Sequence, residues 1–547
     1  VVVKGGAADG VSRRRARPGP AKEEPAQLSN QTEQKHALPG PRWISVFSVS
    51  LVICGAAAVW GVWDPEGLAQ GISLGTTLGL EWFDWIFLLS VTLFIALSLF
   101  LAFSRYGSLK LGAPEDEPEF GTASWLAMLF AAGMGAGLLF WGVAEPLSHF
   151  MSPPPGQEAM TAQAARWSLV MTNLHWGVHA WGIYAMGALV LGYFGFRRGL
   201  PMLAGAPIRA VFKGGFGKVL GGVADVVAVL AVVFGLAGSL GMGVVQMNYG
   251  LAEVFGVPAD SLAVSMAVLG VLAAVYLISA ATAIDKGIKL LSNLNTLVVV
   301  LLLLFVLFVG PTTFILSTFA TSLGDYLSNL VTLSFRLHPY SGQSDWTRVW
   351  TLTYLIWWIA WAPFVGIFIA RISRGRTIRE FVLVVMFLPT LFSVLWFAVF
   401  GGTGLHLELF GQGGLGSLVL ENTSQALFAF LGYFPFTGVL VGVALFLIFI
   451  FLVTSAQSGS FVLGMMTTGG SLNPPTYRKL FWGGVVAALT AATLLAGGGV
   501  HVLRAIAVSG ALPFTVIMIA QVACLFHALG REGRAPVRAE ADEEVSP

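Results

Sequence analysis

Long apolar runs constrain this chain more than any other feature, because about 20 such residues in a helix cross a hydrocarbon layer roughly 30 Å thick. Twelve fall near residues 43–63, 83–104, 122–146, 166–196, 217–255, 259–280, 286–310, 346–371, 380–402, 437–465, 478–498 and 502–529. Only 11% of the 547 residues are charged and 56% are hydrophobic, whereas a soluble domain is about 25% charged. In lipid every backbone polar group must be satisfied internally, so runs of this length fold as helices. The expected fold is therefore an all-α integral membrane protein with 12 transmembrane helices.

The loops test that map independently. With the N-terminus inside, all but four of the 30 Lys and Arg residues lie on the cytoplasmic side, the exceptions being Arg166, Arg336, Arg348 and Arg504. This asymmetry places both termini in the cytoplasm. Residues 1–41 are polar, carry an arginine cluster and lack the pattern of a secretory signal. They are expected to form a disordered cytoplasmic tail, followed by a membrane domain over 42–529 and a short cytoplasmic tail over 530–547. Residues 313–334 alternate apolar and polar positions at helical spacing, which predicts an amphipathic helix at the outer interface. Cys54 and Cys524 sit in apolar runs and give neither a disulfide framework nor metal spacing. No HExxH, P-loop or CxxC pattern is present, so an enzyme finds no catalytic set.

Four constellations remain. Gly133, Gly135 and Gly137 lie in the third run, each costing about 1 kcal/mol relative to Ala in a helix. They imply either a locally unwound segment lining a cavity or close packing through small residues. Trp176, Trp181 and Tyr184 fall within an arc of about 140° on the fourth run, and Trp357, Trp358 and Trp361 within about 100° on the eighth. These six lie mid-span rather than in an interfacial belt. They read as core or as a cage for a quaternary ammonium, to which each indole face contributes roughly 2 kcal/mol when desolvated. The run Thr454-Ser455-Ala456-Gln457-Ser458-Gly459-Ser460 either bonds back to its own helix or offers oxygens to Na⁺. Glu145, His175, His179 and Asp225 are ionisable groups at membrane depth, and for both histidines a structural, hydrogen-bonded role is expected.

Taken together, these stretches resemble the betaine/choline/carnitine transporter family. The resemblance rests on Ala132-Gly133-Met134-Gly135-Ala136-Gly137 and on His175-Trp176-Gly177-Val178-His179-Ala180-Trp181, where Ala180 replaces the usual Pro. It rests further on Asp345-Trp346-Thr347, on Trp357-Trp358-Ile359-Ala360-Trp361-Ala362-Pro363-Phe364 and on Ala370-Arg371-Ile372-Ser373-Arg374-Gly375-Arg376. Phe400-Gly401-Gly402-Thr403 and Thr454-Ser455-Ala456 also fit. The likeness implies a LeuT-type 5+5 inverted repeat, over about 120–311 and 345–529, preceded by two extra helices. It implies a homotrimer in the inner membrane, with the amphipathic helix at the contact.

By position, the resemblance makes Trp176, Trp181, Tyr184 and Trp358 an aromatic box for a trimethylammonium group, with Trp357 and Trp361 lining the paths beside it. The amides around Gly133, Met134, Gly135, Ala136 and Gly137, with the Ser455 hydroxyl, would take a carboxylate. Ala136 stands where choline carriers often have Asp, which favours a zwitterion. The family's shared Na⁺ site would use Ala131, Met134 and Phe451 carbonyls with Thr454 and Ser455 hydroxyls. Thr296 and Phe364 replace the Arg and Met of sodium-independent exchangers. Val232 and Leu236 replace the threonines of a second Na⁺ site, so fewer ions are expected than in two-site members. Leu355, Thr353 and Gln457 also depart from common family residues.

The implied activity is Na⁺-coupled uptake of a glycine-betaine-like zwitterion, with no cofactor beyond the coupling ion and no nucleic-acid partner. Proton-coupled or exchange traffic of choline or carnitine, uptake of ectoine, taurine or a sulfonium compound, and a membrane sensor stay open.

Overall fold

The computed structural model describes residues 41–133, 135–282, 285–497 and 499–532. The N-terminal tail as far as residue 40, the C-terminal residues from 533, and Met134 lie outside these. Among the described residues regular structure is helical, apart from one isolated bridge between Lys110 and Thr377.

The chain begins with α1 (Pro41–Trp63) and α2 (Pro65–Phe103). Asp64 starts α2 by accepting the Gly67 amide at 3.0 Å, and Pro65 occupies the first turn, where a missing N–H is harmless. Then come α3 (Thr122–Gly133), α4 (Ala136–Met151), α5 (Ala162–Trp176), α6 (Val178–Gly192), the short α7 (Gly205–Val211) and α8 (Gly214–Phe255). They are followed by α9 (Leu262–Ala281), α10 (Asp285–Val309) and α11 (Thr312–Leu333). The short α12 (Ser344–Thr347) runs through a π-turn into α13 (Thr353–Ile372), which precedes α14 (Ile378–Phe410), α15 (Leu415–Glu421) and α16 (Ala426–Leu431). The chain ends in α17 (Thr437–Met466), α18 (Thr476–Leu495), α19 (Gly499–Ser509) and α20 (Leu512–Glu532).

Among the described residues eleven helical segments are long and apolar enough to cross a membrane, and each overlaps one of the expected runs. The remaining expected run, 122–146, falls on α3 and α4, of 12 and 16 residues, each too short to cross alone. Large apolar side chains cover the outside: Val52, Phe103, Phe255, Phe308 and Val331 are all largely exposed, as a lipid solvent permits. Trp63 and Trp82 are 87% and 71% exposed, as tryptophans at a membrane–water interface commonly are. The core is built where α13 packs along α6, and α17 and α19 along α8.

Three features differ from the sequence map. Residues 65–82, expected as loop, are helical, so α2 spans 39 residues or about 58 Å. The fourth run is interrupted at Gly177, and the last divides into α19 and α20. The Arg374-Gly375-Arg376 motif has a plain structural use. Gly375 takes φ +81°, and a Cβ there would stand 2.4 Å from the Glu117 carbonyl. Its N–H donates to the Leu111 carbonyl, and the Arg376 carbonyl accepts from the Leu111 N–H, strapping the α13–α14 turn onto residues 109–117.

Candidate functional site

The site begins with the break between α3 and α4. Gly135 is extended, at φ −156° and ψ 172°, and a Cβ on it would meet nothing within 4 Å. Gly137, the second residue of α4, lies against the Trp176 indole, where a Cβ would stand 3.1 Å from Cη2. The two readings of the glycine run thus divide by residue. Gly135 belongs to an irregular segment beside open space, and Gly137 to a close approach. The first amides of α4 have no partner within the helix, and the helix dipole turns its positive end the same way.

A second break, at Gly177, separates α5 from α6. A Cβ there would lie 2.4 Å from the Asn173 carbonyl and 2.7 Å from the Tyr326 hydroxyl. The amide of Val178, freed by the break, donates to that hydroxyl at 2.9 Å. Tyr326 reaches in from α11, whose buried residues Ile315, Ser322, Tyr326 and Leu333 make one stripe. Arg166 on α5 pairs with Asp325 on α11. The amphipathic helix therefore braces the interrupted span.

The break places Trp176 and Trp181 on separate helices, so the arc drawn on a straight helix describes them poorly. They converge all the same. Trp176 packs edge-on to Trp358 at 5.1 Å, Tyr184 to Trp358 at 5.5 Å, and Trp181 to Tyr184 at 5.6 Å. Trp358 is held by donating its Nε1–H to the His175 carbonyl at 2.7 Å, and Trp357 by donating to Ser239 at 3.2 Å. A cavity of about 370 Å³ opens beside them. Its walls include Gly135, Ala136 and Gly137, the aromatics Trp176, Trp181, Tyr184, Trp357, Trp358 and Trp361, and Phe451, Thr454 and Ser455. Such a volume suits a small solute, and its lining is mainly apolar with a few polar side chains among it.

Of the expected Na⁺ ligands, Ala131 lies in α3, Met134 is outside the described residues, and Phe451, Thr454 and Ser455 are neighbours on α17. The Thr454 hydroxyl donates to the carbonyls of Ile450 at 2.8 Å and Phe451 at 3.1 Å. It therefore sits beside one of the carbonyls expected to share the ion. Val232 and Leu236 are buried, and the Leu236 methyls lie where a Cβ on Gly459 would clash at 2.3 Å. That volume is filled by hydrocarbon. Thr296 and Phe364 both line the cavity.

Behind the aromatic wall lies a polar group whose assembly spacing alone does not reveal. Glu145, His149 and His175 are fully buried. Oε1 of Glu145 is 2.6 Å from His175 Nδ1 and 3.3 Å from His149 Nε2, while Oε2 accepts from Trp176 Nε1–H at 2.7 Å. These three residues could be read as a metal set, since their donor atoms lie within 4.8 Å of one another. The 2.6 Å separation argues for a hydrogen bond, because two ligands about 2 Å from one tetrahedral ion stand roughly 3.3 Å apart. His175 also meets the Thr351 hydroxyl at 3.0 Å, and His179 the Ser334 hydroxyl at 2.9 Å, so both histidines are hydrogen-bonded within the protein. Asp225 accepts from the Gly205 amide and the Arg209 guanidinium, each at 2.7 Å, away from the cavity. Sequence reasoning missed Trp141, Ser239, Gln246 and Ser292 as cavity residues. Gln246, an amide in an apolar run with Asn248 two residues on, is a signal visible in the sequence.

A family model described as BCCT, betaine/carnitine/choline family transporter, matches residues 45–534. The chain is 43% identical over 505 residues to the glycine betaine transporter OpuD of Bacillus subtilis, covering 92% of this chain and 98% of that one. It is also 43% identical, over 91% of its length and 98% of the relative's, to an ectoine/hydroxyectoine transporter of Virgibacillus pantothenticus. An osmo-dependent choline transporter of Acinetobacter baylyi is 40% identical over 83% of this chain and 67% of its own length.

Proposed function

The chain belongs to the betaine/carnitine/choline transporter family, and on that premise we propose that it imports a glycine-betaine-like zwitterion by Na⁺ symport with alternating access. It is a multi-pass membrane transporter, not an enzyme. The observation that carries the substrate reading is the cavity in which Trp176, Trp181, Tyr184 and Trp358 face the start of α4. Indole and phenol faces attract a trimethylammonium head, and the leading amides of a helix attract a carboxylate. Both features line one small hollow, which suits a short zwitterion.

The lining also includes Ser292, Thr296, Phe368 and Ser458, toward the ends of α10, α13 and α17 that the Lys and Arg distribution assigns to the cytoplasm. An inward-facing state of an inner-membrane carrier, with both termini cytoplasmic, fits this. In the proposal α3 and α4 together make the twelfth crossing, and the spans from α3 onward form two inverted five-helix repeats of LeuT type. The exposed apolar residues of α11, Leu316, Leu327 and Val331, suit a contact between copies in a homotrimer.

The coupling ion is Na⁺, held by the Ala131, Met134 and Phe451 carbonyls with the Thr454 and Ser455 hydroxyls. Uptake of radiolabelled glycine betaine, choline, carnitine, ectoine and taurine into proteoliposomes tests the whole reading. Glycine betaine accumulation that needs an inward Na⁺ gradient is expected. Accumulation driven by a proton gradient without Na⁺, or saturable binding without accumulation, would overturn it. Thr454→Ala combined with Ser455→Ala should raise the half-saturating Na⁺ concentration by roughly tenfold or more, as loss of two oxygen ligands demands; an unaltered Na⁺ curve removes these residues from the ion site.

A further inference from the structure

We propose that Glu145 is a specificity-determining residue: its carboxylate, bonded to the indole N–H of Trp176, makes the aromatic cage selective for a positively charged head. The proposal rests on the substrate reading above and goes beyond it, since Glu145 does not line the cavity.

Three N–H groups converge on this carboxylate, from Trp176 at 2.7 Å, His175 at 2.6 Å and His149 at 3.3 Å. A carboxylate only accepts, so each histidine nitrogen facing it carries the proton. The acceptor and every donor are buried, with Glu145, His149 and His175 at 0% exposure and Trp176 at 6%. A hydrogen bond from an indole to an anion pushes electron density into the ring, and the low dielectric around it keeps that polarisation unscreened. The face that Trp176 turns to the cavity becomes more negative, which strengthens its attraction for a cation.

The same residue also sets the geometry. Trp358 donates to the carbonyl of His175, whose ring is tethered to Glu145 on one side and to the Thr351 hydroxyl on the other. Two walls of the cage are thus referred to one carboxylate. The guanidinium of Arg504 stacks on Trp141, Trp350 and Tyr354 at 5.6, 4.9 and 5.4 Å and offsets the buried charge of the region, but it bonds to no wall of the cage.

A structural role and an electronic one are separated by a ligand of the same shape without the cation. Glycine betaine and its carbon isostere 3,3-dimethylbutanoate differ only in N⁺ against C. Calorimetric titration of the purified full-length protein in Na⁺ buffer gives the ratio of their dissociation constants. In Glu145→Gln that ratio should shrink roughly tenfold, because a neutral amide exerts no such field at this depth, with betaine weakened and the isostere little changed. Equal weakening of both ligands means geometry alone and overturns the proposal.

Should Glu145→Gln fail to fold, Trp176→Phe keeps a ring and removes the N–H, while Trp181→Phe removes an indole that has no bond to Glu145. A much larger loss of charge selectivity in Trp176→Phe than in Trp181→Phe supports the assignment, and equal losses refute it. Wild-type protein that binds betaine no better than the isostere would sink the quaternary-ammonium reading itself, before Glu145 enters.

Discussion

Two interruptions of the helical backbone build the candidate site, at Gly135 and at Gly177, and they are held in opposite ways. Around Gly135 the chain is extended and a Cβ would meet open space. Around Gly177 the space is filled: the Asn173 carbonyl and the Tyr326 hydroxyl crowd the glycine, and Val178 N–H is satisfied by that hydroxyl. Freed backbone groups that are answered from within the protein become scaffold, whereas those turned toward a hollow stay available to a ligand. The α5–α6 break then carries the aromatic wall in a fixed pose, and the α3–α4 break presents amides to whatever enters.

The sharpest way to break this comparison is to place a side chain at each glycine. Gly177→Val should abolish proteoliposome uptake and reduce the yield of monodisperse protein, because its branched Cβ meets backbone and a buried phenol that cannot both retreat. Gly135→Ala should retain at least about half of the wild-type rate, its Cβ entering free volume. Normal transport by the valine variant would show that the second break is as soft as the first.

A smaller effect is expected when the lock is loosened without a clash. Tyr326→Phe leaves Val178 N–H buried and unanswered, at a cost of about 1–3 kcal/mol. The thermal unfolding midpoint in detergent should fall by several degrees, with betaine affinity lowered less than stability. An unchanged midpoint would mean that the tyrosine merely touches the break.

The same contrast explains what could be read in advance. Three glycines at alternate positions, Gly133, Gly135 and Gly137, announce a weak point because helix propensity is local. Mid-span indoles announce a cage because lipid-facing tryptophans belong at the interface. Gly177 is a lone glycine among helix-compatible neighbours, and the Tyr326 hydroxyl that makes it a break lies 149 positions further along the chain. Glu145 could be flagged as an intramembrane charge, but its partners His175 and Trp176 stand about thirty residues away, at a spacing no helix period joins. Residues 65–82 read as loop because Gly, Thr and Glu interrupt their apolar positions, although in the structure Asp64 caps the helix they form. Local chemistry is written in the sequence; closure between distant helices is written only in their packing.

The finest test lies within the first break, between two glycines that are close in sequence and different in role. Gly137 is in the same motif as Gly135 but faces an indole, and a Cβ would stand 3.1 Å from Trp176 Cη2, nearer than ordinary van der Waals contact. Gly137→Ala should tilt the ring by a few tenths of an ångström. Because Trp176 is anchored through Nε1 to Glu145, it would pivot about that bond and turn its face slightly from Trp358. The expected result is a KM for glycine betaine raised about threefold, well under 1 kcal/mol, with the maximal rate unchanged and with Gly135→Ala showing no such rise. If both alanines raise KM alike, the two glycines share one role, and the division between open backbone and close approach does not hold.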